Sequence, residues 1–107
     1  MKVSKKNAIR EDWDKVRSWN YKLQWIPEKF QSVVVAELDG PHGEVTTKNT
    51  ERIYYILQGK WAFKIGDASV KAEAGDVVTI PAHTLYDYRP TTKETLKVIL
   101  FMELRDN

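Results

Sequence analysis

Two runs of sequence decide the fold: Arg52-Ile-Tyr-Tyr-Ile-Leu-Gln-Gly-Lys-Trp-Ala-Phe-Lys-Ile65 and the run that answers it, Gly75-Asp-Val-Val-Thr-Ile-Pro81. Tyr54-Tyr55-Ile56-Leu57 is aromatic and β-branched with no helical period, so it reads as a strand. Gly59 interrupts it, and a second apolar run begins at Trp61. Ile65-Gly66-Asp67-Ala68 supplies the next reversal, because glycine tolerates the positive φ that such turns need. Gly75-Asp76 punctuates the chain before Val77-Val78-Thr79-Ile80, and Pro81 stops that strand, since proline cannot donate to a ladder. Short strands divided by glycine and proline at near-regular spacing predict a small all-β barrel or sandwich.

Working outward, Lys5 to Ser18 fits a short helix, with Asn7 as N-cap and Ile9, Trp13 and Val16 on one face. Its early acids and late bases suit a helix dipole. Tyr21, Leu23 and Trp25 alternate with Lys22 and Gln24, the period of an edge strand ended by Pro27. Phe30 to Leu38 is a further strand, closed by the loop Asp39-Gly-Pro-His-Gly43. Val45 to Asn49, Leu85 to Tyr88 and Leu96 to Leu104 complete the strand set. No repeat or linker divides the chain, so one domain over residues 1–107 is expected, with 1–30 leading into a barrel at 31–107.

Composition narrows the function. The sequence has no cysteine, which removes disulfides and thiolate metal sites. No apolar run approaches the roughly 18 residues of a membrane span, and the start is not followed by an apolar signal core. A cytoplasmic protein with no membrane partner is the expectation. Residues 1–22 hold seven Lys/Arg against three acids, net +4, so the rest of a chain of formal charge +2 carries −2. That mild asymmetry, with aromatics confined to strand patterns, argues against nucleic acid as a partner.

The residues around these turns resemble the cupin family, whose fold is a double-stranded β-helix or jelly-roll barrel. Ile53-Tyr-Tyr-Ile-Leu-Gln-Gly59 is similar to the tail of the first cupin motif. Gly75-Asp-Val-Val-Thr-Ile-Pro81-Ala-His83-Thr-Leu-Tyr86 fits the frame of the second. The typical cupin holds a divalent metal through His-x-His and a glutamate in the first motif and a histidine in the second. Laid on this chain, the pair falls on Val45 and Thr47, or on Thr46 and Lys48 with the shorter spacer. The glutamate position is Arg52 and the last histidine position is Tyr86. These are poor ligands, and an inward arginine repels a cation. Glu51 cannot substitute, because neighbouring side chains on a strand point to opposite faces. The expectation is therefore no metal and no other cofactor.

The resemblance implies that Thr47, Arg52, Tyr54, Tyr86 and Tyr88 face the cavity, with Trp61 or Phe63 and Met102 from neighbouring strands. As ligand-binding residues, Arg52 would meet a carboxylate, phosphate or sugar hydroxyl, and Tyr86 and Tyr88 would donate hydrogen bonds and stack. Arg52 could instead pair with Glu44, Glu51 or Glu103. His83 is a turn residue or a general base at the rim, with Tyr86 as its acid partner. His42, between Pro41 and Gly43, reads as an exposed turn residue. Three readings stay open: a metal-free binder of a polar or anionic metabolite such as a sugar or carboxylate; a metal-independent isomerase, epimerase or lyase on a sugar or keto acid; and a non-catalytic structural or regulatory domain. A homodimer is expected, since cupins commonly pair and Trp13, Trp19 and Trp25 need burial.

Overall fold

The computed structural model describes residues 2–22 and 32–102, Met102 by its backbone alone. Ten strands follow one 3-10 turn at Lys5–Asn7: β1 (Ile9–Trp13), β2 (Val16–Lys22), β3 (Ser32–Leu38), β4 (Val45–Thr46), β5 (Arg52–Gln58), β6 (Lys60–Ile65), β7 (Ala68–Glu73), β8 (Val77–Ile80), β9 (Leu85–Pro90) and β10 (Leu96–Met102). They form two antiparallel sheets, ordered β1-β2-β3-β10-β5-β8 and β4-β9-β6-β7. The strands form a double-sheet jelly-roll barrel: an all-β barrel or sandwich was expected from the turn spacing, and the jelly-roll type from the family resemblance. Among the described residues no helix is long and apolar enough to cross a membrane.

The expected helix at Lys5–Ser18 is absent. Asp14 adopts φ 45°, a left-handed conformation that aspartate tolerates, and it reverses the chain between β1 and β2. The register Ile9↔Asn20 to Trp13↔Val16 then gives backbone groups of both strands partners across the hairpin. The 4-and-3 spacing of Ile9, Trp13 and Val16 was compatible with a helix, but the three do not share a buried face: Val16 is in the core, whereas Ile9 and Trp13 are exposed. Residues 9–22 thus add two strands to the larger sheet. Of the edge strand expected at Tyr21–Trp25, Tyr21 and Lys22 lie in β2, and Leu23 to Trp25 fall outside the described residues.

Period-two alternation places the core. On β5, Tyr54 and Ile56 are buried while Tyr55 and Leu57 are exposed; on β9, Tyr86 and Tyr88 are buried while Leu85 and Arg89 are exposed. Between the sheets pack Trp61 and Phe63 from β6, Leu38 from β3, Ile80 from β8 and Leu96 and Val98 from β10. The opposite, outward face of the six-stranded sheet is laid out in rows. One row runs Trp19, Val35, Ile99, Tyr55, Val77 across β2, β3, β10, β5 and β8. The next runs Tyr21, Val33, Phe101, Ile53, Thr79. Beside them, Asp12, Arg17, Glu37 and Lys97 alternate in sign across four strands.

Gly59 carries the crossing from β5 in one sheet to β6 in the other. Its φ is +98°, and a Cβ there would sit 2.6 Å from Leu96 Cδ2 and 3.4 Å from the Leu96 α-carbon. Gly43 has a similar φ of +100° but open space around it. Gly59→Ala is therefore expected to lower stability by about 2 kcal/mol or more, and Gly43→Ala by about 1 kcal/mol, because only the first adds a clash to backbone strain. Urea unfolding of the two variants reads the difference as a lower midpoint for Gly59→Ala.

Candidate functional site

The residues with chemistry to offer gather where β5 and β9 face each other at one end of the barrel. Tyr54 and Tyr86 point inward from opposite sheets, and their hydroxyls lie 3.0 Å apart in a hydrogen bond. Tyr88 packs edge-on to Tyr54 with ring centroids 5.4 Å apart, and Trp61 and Phe63 close the space beneath. Burial holds the Tyr54 and Tyr88 hydroxyls far above the usual phenol range, with Tyr86 adding to the effect on both and the Tyr54 hydrogen bond opposing it at Tyr88, so both remain protonated.

The histidine that joins this cluster is His42, not His83. His42 stacks on Tyr88 at 4.5 Å and 23°, and lies 6.1 Å from Tyr86 at 20°. Trp13 meets it edge-on from β1, and the Trp13 indole N–H donates to the His42 carbonyl at 3.3 Å. The loop carrying it is pinned: His42 N–H donates to the Tyr88 carbonyl and Gly43 N–H to Asp87 Oδ1, each at 2.9 Å. The reading of His42 as an exposed turn residue is thus corrected, since its ring is partly buried against tyrosines. Burial pushes its pKa below the usual histidine value, and the Arg52 charge adds to that, against opposing effects of Gly43 and Asp87. The ring is therefore neutral near pH 7. Its Nδ1 lies 2.9 Å from the Gly43 carbonyl, which can only accept, so Nδ1 carries the hydrogen and Nε2 keeps a lone pair.

His83 instead occupies the turn between β8 and β9. Its φ is 53°, its side chain is exposed, and its N–H donates to the Lys48 carbonyl at 3.0 Å. Thr47 is buried, yet its hydroxyl is engaged: Oγ1 donates to the Pro81 carbonyl at 2.6 Å and accepts from Thr84 N–H at 2.9 Å. It fastens the first-motif strand to the second-motif turn. Arg52, half-buried at the start of β5 opposite Ile80, is close enough for its charge to act on His42, Tyr54 and Tyr88. The inward face of β2 adds Ser18 and Asn20, and β3 adds Ser32. Trp61 and Phe63, offered as alternatives from the sequence, are both buried inside; the Met102 side chain lies outside the description.

The four positions where a cupin holds its metal carry Val45, Thr47, Arg52 and Tyr86. Val45 has no donor atom, the Thr47 hydroxyl is committed to backbone, Arg52 is a cation and the Tyr86 hydroxyl is bonded to Tyr54. Among the described residues no three of His, Cys, Asp or Glu gather to hold an ion. This donor set does not fit a divalent metal. A groove of about 510 Å³ opens on the molecule along Lys64, Lys71, Leu85, Asp87 and Arg89. Its lining also reaches Phe63, Tyr86 and Tyr88, which belong to the aromatic cluster. The tyrosine and histidine cluster is where the chemistry converges.

Comparison with known proteins places this geometry. The family model described as Cupin domain matches residues 37–102, more than half of the chain. No curated protein matched the sequence. Among solved structures, Streptomyces PAC13 in a histidine-to-glutamine variant with uridine superposes with a TM-score of 0.79 at 18% identity, covering 98% of this chain and 86% of that one. The same protein, described as a nucleoside dehydratase, gives 0.78 at 19% identity over 96% and 82% of the chains. KdgF from Halomonas sp. gives 0.73 at 18% identity over 92% and 88%. The Schizosaccharomyces pombe Cnp3 cupin domain gives 0.74 at 15% identity over 95% and 73%. At these identities the likeness is one of fold.

The lowered His42 pKa has a thermodynamic consequence. Between the folded and unfolded pKa values the unfolded chain binds more protons, so stability falls as pH drops from about 6.5 toward the folded pKa, then levels off. Thermal melts of wild type across pH 5 to 7 should show this slope, and His42→Gln should flatten it. An unchanged slope in that variant would assign the titration to another group.

Proposed function

The chain belongs to the cupin family, and from that premise we propose that it binds a small hydroxylated metabolite of the sugar or nucleoside class at the barrel mouth, without a divalent metal. On that ligand His42 and Tyr86 perform acid–base chemistry. The observation that carries this reading is the Tyr54–Tyr86 hydroxyl pair at the position of the family's metal histidine, under a neutral His42. With Tyr54 donating to Tyr86, the Tyr86 hydrogen is free to point at the mouth. The fitting reaction is elimination or isomerisation next to a carbonyl. His42 Nε2 takes the α-proton, and the electron pair forms the C=C bond. In an elimination, the departing hydroxyl leaves as water with the Tyr86 proton, and the imidazolium then returns its proton to the tyrosinate. Arg52 supplies positive charge for a carboxylate, phosphate or developing enolate. Tyrosine and histidine are also the residue types replaced in the uridine-bound PAC13 variants. Cytoplasmic residence suits such a substrate.

One observation favours a second, non-catalytic reading. Trp61, Phe63, Tyr54 and Tyr88 fill the barrel below the mouth, none more than 3% exposed. A Cnp3 cupin domain stands among the structural neighbours. Under that reading the cluster is core.

Titration of EDTA-treated protein with uridine, free sugars and small carboxylates, followed by NMR, separates the two. At least one compound is expected to bind, with affinity weakened about tenfold by Tyr86→Phe and by His42→Gln, and unchanged by His83→Gly. Arg52→Ala is expected to weaken anionic compounds more than neutral ones. No binding across the panel, or binding that requires added divalent metal, overturns the proposal.

A further inference from the structure

The four-stranded sheet gathers cations around one small residue. On β6, Lys60 and Lys64 stand two positions before and after Ala62, and in a strand that spacing puts all three on one face. Across the sheet, Ala62 pairs with Lys71 of β7 on one side and with Arg89 of β9 on the other. The four cationic residues are exposed, while Trp61 and Phe63, which alternate with them on β6, are buried. Ala62 is thus the floor of a dip with positive charge on all four sides. Among the described residues no ion pair neutralises Lys64, Lys71 or Arg89. Asp87, directly opposite Lys64, has its Oδ1 engaged by the Gly43 and Tyr88 N–H groups at 2.9 and 2.7 Å. Like charges gathered on one sheet face cost stability, and a bound anion relieves that cost.

We propose that this dip is a second ligand site, for the phosphate group of a small phosphate ester. Three observations choose that ligand. The first is spacing. β7 and β9 lie two strand separations apart, roughly 10 Å, so a phosphate can sit over the Ala62 methyl with Lys71 and Arg89 reaching it from either side. The Arg89 fork can engage two of its oxygens, and Lys64 and Lys71 act as point charges. The second is volume. The groove lined by Ala62, Lys64, Lys71 and Arg89 measures about 510 Å³, far more than one phosphate fills and the size of a small-molecule site. Leu85, 48% exposed on the same lining, gives the uncharged part of the ester an apolar surface to rest on. The third is charge layout. Glu44 and Asp87 bound the groove toward β4, so the cations converge on one point and form no continuous track, which suits a compact anion and not the backbone of a nucleic acid. The site does not depend on the ligand proposed at the barrel mouth, whose cation, Arg52, begins β5 in the other sheet.

NMR titration of the isotope-labelled full chain with inorganic phosphate and with ribose 5-phosphate, at constant ionic strength with chloride as the reference, tests this. Saturable shifts are expected, centred on the amides of Ala62, Lys71 and Arg89 and tighter for the ester than for phosphate. Lys71→Gln and Arg89→Gln should each weaken the ester about tenfold, and Ala62→Glu, which sets a carboxylate on the floor, should abolish its binding there. Should Ala62→Glu unfold, the double variant Lys71→Gln, Arg89→Gln gives the same reading. Lys6→Glu, in the turn before β1, matches the charge change of that double variant and should leave the affinity as it is. The inference is overturned by an absence of saturable shifts, by shifts confined to the surroundings of His42 and Arg52, by an ester no tighter than phosphate, by an equal loss in Lys6→Glu, or by a single-stranded oligonucleotide that binds more tightly than the ester.

Discussion

One residue of chain separates the last position of β5 in the larger sheet from the first of β6 in the smaller. Gly59 makes that crossing with a backbone conformation and a clearance from Leu96 that a side chain would spoil. The constraint fixes which residues of the two strands meet inside. Counting back by twos from Gln58, the last residue of β5, places Ile56 and Tyr54 inward, and counting forward by twos from Gly59 places Trp61 and Phe63 inward. Tyr54 thereby faces Tyr86 across the barrel, and a shift of one residue would have turned Tyr55 inward and opened the cluster.

The candidate site follows from how burial treats each group in it. A metal site needs anionic or neutral ligands aimed at one point, and this barrel instead aims an arginine and phenols at it. Burial keeps Tyr54 and Tyr88 as O–H donors and keeps the His42 ring neutral, so the same environment supplies proton donors and a proton acceptor side by side. Charge enters through Arg52, which disfavours an imidazolium and favours an anion. These effects are the ones the proposed proton transfer on a hydroxylated ligand would use.

What could be read from the sequence was what is local. The strands from Arg52 to Ile80 and their turns follow from apolar runs punctuated by glycine and proline, and they stand as expected, whereas the inward set was implied by the family resemblance and the strand from Leu85 runs two residues past Tyr88, into the expected loop. The N-terminal hairpin was illegible because Ile9, Trp13 and Val16 satisfy a helical spacing, and only pairing with β3, some twenty residues away in sequence, decides against it. His42 was misread for a related reason. A Pro-His-Gly loop signals mobility, yet its anchors are Tyr88 and Asp87, more than forty residues on. The aspartate between two inward tyrosines was the available hint. Thr47 was placed inward correctly, but no pattern revealed that its hydroxyl already had two backbone partners.

That small clamp carries a consequence for how the fold tolerates changes of chemistry. Thr47 N–H donates to the Thr84 carbonyl, Thr84 N–H to the Thr47 hydroxyl, that hydroxyl to the Pro81 carbonyl, and His83 N–H to the Lys48 carbonyl. The two segments that frame the mouth are stitched to each other by these protein hydrogen bonds. In a barrel whose rim is held by a metal ion, losing the ion loosens the rim. Here the rim is self-supporting, so the residues pointing into it are free to vary with the ligand while the doorway keeps its shape.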